Sequence, residues 1–239
     1  EISECLVGSE MCIRDRLYAY NNVGRIYRYN LLTDQFELYL DLAEHIYMGL
    51  VLHYLFIDSQ EQLWIGLNSG LYCCLLGETP QLIDSDCHVT YITELPQSMA
   101  IGTTCDLRIY SKDRNLLQKL CPDTYVQSLL PLPNKETLLI GTFNCGVKSI
   151  SLSSWQEQPV KNGSLPHTPI RSMIEMTLST VLLGFDGDGV YTYNLSSGEA
   201  EPLFTRTNRM LTAMGVYSLC RDCEDNIWIG TYTGGAFLM

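Results

Sequence analysis

The chain has 239 residues, 46% of them hydrophobic and 18% charged, with a formal net charge of −12. That is globular composition, and its acidic balance excludes a sequence-independent grip on nucleic acid or on an anionic membrane surface, both of which need Lys and Arg. The longest apolar run, Met48 to Ile57, is about half a membrane span and contains His53, so no transmembrane helix is expected.

Residues 5–16 read CLVGSEMCIRDR and match the translation of a transposon-type sequencing adapter. Residues 1–16 are therefore set aside from the fold, together with Cys5 and Cys12. The natural N-terminus is expected to lie upstream, so the absence of a signal peptide carries no information.

From Leu17 onward the chain repeats itself. LYAYNNVGRIY (17–27) aligns in register with IWIGTYTGGAF (227–237), with Tyr20 at the position of Gly230 and Gly24 at that of Gly234. RIYRYN (25–30) follows, alternating apolar and polar residues. VLHYLFID (51–58) leads into LWIGLNSGL and Gly66, and VTYITEL (89–95) into MAIGTTCDL and Gly102. YVQSLLPL (125–132) leads into LLIGTFNCGV and Gly141. IRSMIEM (170–176) leads into VLLGFDGDGV and Gly184, followed by the alternating GVYTYN (189–194). VYSLCRD (216–222) leads into IWIGTYTGGA and Gly230. The copies lie near 17–27, 63–72, 99–107, 138–147, 181–191 and 227–237, and their glycines recur every 36–46 residues.

A period near 40 residues points to propeller blades or to a helical array. The pattern inside the unit decides between them. Short apolar stretches are joined by turns rich in Asn, Asp and Gly, such as NSG, NCG, DGDG and TGG, which supply positive φ angles for tight hairpins. Alternation has period two, and no window carries the stripe of a long amphipathic helix. The predicted fold is an all-β propeller of four-stranded antiparallel blades over residues 17–239, with five to six blades present. Each anchor glycine should sit on the second strand of its blade, where the missing Cβ allows close backbone approach. Trp64 and Trp228, at one repeat position, should fill the space between blades.

VYSLCRDCEDNIWIGTYTGG (216–235) resembles the two-component regulator propeller repeat, and VLHYLFIDSQEQLWIGLNSGL (51–71) is a second good match. The copies at Gly102, Gly141 and Gly184 lack the Asp and Trp. The resemblance covers essentially all of residues 17–239. It implies the periplasmic sensor region of a hybrid two-component histidine kinase, in which propeller arrays bind oligosaccharide breakdown products and signal to a kinase. Such sensors close seven blades, which makes the chain a fragment whose partners are the remaining blades and the downstream signalling domains. A homodimer is a further option, and the parent would be anchored in the inner membrane.

The binding mouth of a propeller lies where the second-to-third strand turns meet the openings of the inner strands. The second residue of each inner strand differs from blade to blade: His53, Thr90, Gln127, Arg171 and Tyr217. A reading position can vary where a structural one should not, so these five are the candidate ligand-binding residues. Arg171 would meet an acidic sugar through a forked pair, and Tyr217 would offer a ring face. The turns add Asn68, Asp106, Asn144, Asp186, Asp188 and Tyr232, a mixture of planar polar groups and rings that suits sugars.

No metal or cofactor is expected. Asp186-Gly187-Asp188-Gly189 lacks the later ligands of a calcium loop and reads as a hairpin turn. The CxxC of Cys220 and Cys223 has no second pair at zinc-ribbon spacing, and Cys73, Cys74 and the remaining cysteines read as small buried hydrophobes. His45, His53, His88 and His167 share no repeat register, and no nucleophile elbow or metal-binding His pair occurs. The Asp-to-Trp interval is six residues, from Asp58 to Trp64 and from Asp222 to Trp228, against five in the sialidase Asp-box. The function expected is non-catalytic ligand sensing. The alternatives are a propeller glycosidase or lyase and a protein-interaction scaffold.

Overall fold

The computed structural model describes residues 17–21, 23–44, 51–132, 136–162, 165–203 and 214–239. The adapter-like segment and His45 lie outside the described residues. The chain divides into two compact units, one ending at Ile92 and the other beginning at Thr93. The first holds β1 (Tyr18–Tyr20), β2 (Arg25–Asn30), β3 (Gln35–Asp41) and a 3-10 turn at Leu42–Glu44. It continues with β4 (Leu52–Ile57), β5 (Gln62–Leu67), β6 (Gly70–Leu75) and β7 (Gln81–Asp84), and the division falls within β8 (Val89–Glu94).

The second unit holds β9 (Ser98–Thr103), β10 (Leu107–Ser111), β11 (Leu116–Leu120), β12 (Val126–Leu132), β13 (Thr137–Thr142), β14 (Val147–Ser151) and β15 (Glu157–Gln158). It ends with β16 (Ile170–Thr177), β17 (Thr180–Phe185), β18 (Gly189–Asn194), β19 (Ala200–Pro202), β20 (Val216–Arg221), β21 (Ile227–Thr231) and β22 (Gly235–Leu238). Strands follow chain order in six sheets: β1–β3, β4–β7, β8–β11, β12–β15, β16–β19 and β20–β22. The four inner sheets have the four strands the repeat predicts, and the first and last show three among the described residues. Tyr20 pairs with Ile26 as Gly66 pairs with Leu71, so β1 occupies the place of a second strand.

All five anchor glycines fall on second strands, Gly66 on β5, Gly102 on β9, Gly141 on β13, Gly184 on β17 and Gly230 on β21. The alternation of each strand explains what surrounds them. On β17, Val181, Leu183 and Phe185 pack with Leu132, Leu139 and Ile170, whereas Leu182 packs with Val216, Leu219 and Ile229. One strand thus faces two cores, one toward the preceding sheet and one toward the next. Gly184 shares the face of Leu182. A Cβ there would lie 2.7 Å from Val216 Cγ1 and would also meet Ser172 Oγ. At Gly141 it would lie 2.8 Å from Ile170 Cγ2, and at Gly66 2.9 Å from Val89 Cβ. Each of these glycines is a socket for the β-branched residue at the head of the next inner strand.

Trp64 and Trp228 stand on the same face as the glycines, with the indole N–H of each donating to an aspartate six residues earlier. Trp64 Nε1 reaches Asp58 Oδ2 at 2.9 Å and Trp228 Nε1 reaches Asp222 Oδ2 at 2.9 Å. The other oxygen of each aspartate closes the turn between the first two strands. Asp58 Oδ1 accepts the amides of Gln60 and Gln62, and Asp222 Oδ1 those of Glu224 and Asn226, all at 2.9 Å. Hydrogen bonds from Asn226 and Trp228 push the Asp222 carboxyl down to about 2.

The expectation that both indoles are buried between blades is corrected. Trp64 is fully buried, but Trp228, in the last sheet, is 43% exposed, with no later strand among the described residues to cover that face. The cysteines divide similarly. Cys73 and Cys74 on β6 are buried, as are Cys87 and Cys121 in connections between strands, whereas Cys105, Cys145 and Cys223 are exposed, which corrects the expectation that all the cysteines are small buried hydrophobes.

Replacing Trp64 by Ala should cost about 3–5 kcal/mol in denaturant unfolding and Trp228→Ala less than half of that, since both lose the same hydrogen bond and only one loses a buried ring. Equal losses would contradict this. The depressed Asp222 carboxyl stabilises the fold fully above about pH 4 and loses that contribution as the pH falls toward 2. A carboxyl titration by NMR should place its midpoint near 2, and an ordinary midpoint would contradict the turn's role.

Candidate ligand-binding site

Four inner strands begin with a bulge at one position. Leu52 pairs with Leu67 and Tyr54 with Gly66, which leaves His53 without a partner on β5. The same step skips Gln127 between Val126 and Ser128, Arg171 between Ile170 and Ser172, and Tyr217 between Val216 and Ser218. A bulged residue leaves the ladder and has its side chain re-aimed. Four of the five variable positions chosen from the sequence are therefore the bulged residues themselves, and Thr90 is the half-buried second residue of β8.

In the second unit the bulges bring side chains together. Arg171 donates from Nε and Nη2 to Asp186 Oδ2 at 3.1 and 2.7 Å. Its Nη1 donates to Gln127 Oε1 at 2.8 Å, reaching the preceding sheet. The guanidinium lies 5.0 Å from the centre of the Tyr217 ring, within cation–π range. Tyr217 in turn stacks on Tyr232, with centroids 5.4 Å apart and planes at 26°. Both rings are solvent-accessible, Tyr217 at 44% and Tyr232 at 75%. Gln127, Arg171, Asp186, Tyr217 and Tyr232 thus form one connected cluster, a paired charge with an aromatic platform beside it. The forked guanidinium that the sequence offered to a ligand's carboxylate is engaged by Asp186.

The turn residues hold related places. The residue two past the glycine donates its amide to the carbonyl just before the inner strand: Asn68 to Val51 (3.1 Å), Phe143 to Tyr125 (3.0 Å), Asp186 to Pro169 (2.9 Å) and Tyr232 to Gly215 (2.9 Å). Asn68 spends its side chain on this junction, accepting the Val51 amide at 3.0 Å. Asn144 lies one residue beyond the equivalent place, exposed, and accepts the Cys145 thiol at 3.2 Å. Asp106 accepts Thr103 Oγ1 at 2.6 Å and pairs with the buried Arg108 at 3.0 Å inside its own sheet. Asp188 accepts Thr168 Oγ1 at 2.5 Å, next to the cluster's turn.

Sequence reasoning missed three residues. Phe143 takes the place given to Asn144 and stacks on Tyr125, centroids 5.0 Å apart and planes at 9°. His88 meets His53 in the first unit, Nε2 to Nε2 at 2.9 Å. Partial desolvation, and then the neighbouring His88, lower the His53 pKa from its ordinary value. The signal was available for Tyr125 and His88, which directly precede the apolar residue opening an inner strand.

No protein-family model matches the chain, and no curated protein matches it. Solved structures do resemble it. Two are of the extracellular domain of BT4673 from B. thetaiotaomicron, described once as a one component system and once as a hybrid two component system. Identity is 19% in both, with TM-scores of 0.69 and 0.75, and the matches cover 93% of this chain and 31% of that one. The computationally designed Ika8 protein matches with a TM-score of 0.68 at 14% identity, over 94% of this chain and 68% of its own. The chain spans about a third of the length of the BT4673 domain. These likenesses and the sheet order show the fold, an all-β propeller arrangement of antiparallel blades.

Proposed function

We propose that this chain is a ligand-sensing propeller segment that binds oligosaccharide breakdown products without turning them over. In this reading it belongs to the periplasmic part of a sensor anchored in the inner membrane and passes the signal to a kinase beyond the segment. The observation that carries it is the Tyr217–Tyr232 stack held beside the Arg171–Asp186 pair. Exposed, mutually buttressed rings offer the flat apolar faces that pyranoses stack on, and the neighbouring amide and paired charges offer donors and acceptors for hydroxyls. The net neutrality of the pair favours a neutral sugar over an acidic one. That BT4673 is described as a hybrid two component system, and that its structure is of an extracellular domain, supports the sensing role and the location.

Calorimetric titration of neutral and acidic oligosaccharides into the chain should show binding of a neutral member. Tyr217→Ala/Tyr232→Ala should abolish it with an unchanged melting temperature, since both rings are substantially exposed. Unchanged affinity in that variant would move the site elsewhere, and shortening of the oligosaccharide by the chain would favour the enzyme reading.

A further inference from the structure

The first unit carries an arrangement that the sugar reading does not use. His53, the bulged residue of β4, is exposed, and His88, directly before β8, is half-buried. Their ring centroids lie 4.6 Å apart and their Nε2 atoms 2.9 Å apart, so each ring turns its nitrogen toward the other. The backbone carrying His53 is pinned, because its carbonyl accepts the Tyr20 hydroxyl at 3.0 Å.

Two neutral imidazoles so placed can share one proton, one nitrogen donating and the other accepting. The same spacing suits a metal ion. Imidazole nitrogens bound to one ion at about 2.0–2.1 Å lie about 2.9 Å apart when they subtend a right angle, as in square-planar or octahedral coordination, and about 3.3 Å apart in a tetrahedron. The observed 2.9 Å matches the right angle.

We propose that His53 and His88 chelate a divalent transition ion of right-angle preference, nickel(II) or copper(II), with water completing the coordination. Among the described residues no group of three His, Cys, Asp or Glu converges on one point, so the ion would have two protein ligands and an open shell. The pair is 35 residues apart, and no local spacing in the sequence announces it.

Nickel(II) is the appropriate probe, since copper(II) would oxidise the exposed thiols of Cys105, Cys145 and Cys223. Calorimetric titration of the full chain at neutral pH should show nickel binding that His53→Gln and His88→Gln each weaken at least about tenfold, the second ligand no longer acting intramolecularly. In the wild-type chain the paramagnetic ion should broaden the ring resonances of His53 and His88 together. Equal affinity in wild type and both variants, a loss in one variant only, or broadening that spares either ring would overturn the chelate.

Discussion

The contact on which the other features depend is the one made where a Cβ is missing. At Gly66, Gly141 and Gly184 the space that a side chain would fill is taken by Val89, Ile170 and Val216, each heading the next inner strand. Ser128 reinforces one of these junctions, its hydroxyl donating to the Ile170 carbonyl at 2.7 Å. Because the plug is β-branched and its χ1 is stiff, seating it fixes the backbone that follows. At Ile170 and Val216 the next residue is the bulged one, Arg171 or Tyr217. Packing between sheets therefore sets the position of the candidate binding residues.

That coupling also explains the cluster's composition. Arg171 leaves its ladder directly after the Ile170 plug and reaches back to Gln127 on the preceding sheet, while Asp186, two residues past Gly184, closes on it from its own sheet. Three successive sheets contribute to one side-chain cluster, the last through Tyr217 and Tyr232. An ion pair about a third exposed is worth little as a stabiliser in its own right. Its value here is positional, since it holds the guanidinium over the Tyr217 face.

The glycine register, the strand order and the four-stranded inner sheets were legible because they follow from period and turn chemistry at every copy. The choice of His53, Gln127, Arg171 and Tyr217 was legible for a subtler reason. A position whose flanks repeat while it varies is one the packing does not constrain, and the bulge is what frees it. Contacts between distant residues were not legible. Nothing in the sequence joins His53 to His88 or assigns Asp186 to Arg171, since those depend on how far each bulge swings its side chain. The exposure of Trp228 escaped for another reason: a repeat position predicts burial only where a following sheet supplies the cover.

The glycine socket and the β-branched plug are one interaction, and a double-mutant cycle on Gly184 and Val216 tests it. Ser172 Oγ, also in the way of a Cβ at 184, makes no hydrogen bond among the described residues and can turn aside. Gly184→Ala alone should cost about 1–3 kcal/mol by overpacking against the 2.7 Å contact. In a Val216→Ala background most of that cost should vanish, giving a coupling of about 1 kcal/mol or more. Strictly additive losses in urea unfolding would contradict the account, because they would mean that the missing Cβ serves something other than the next strand.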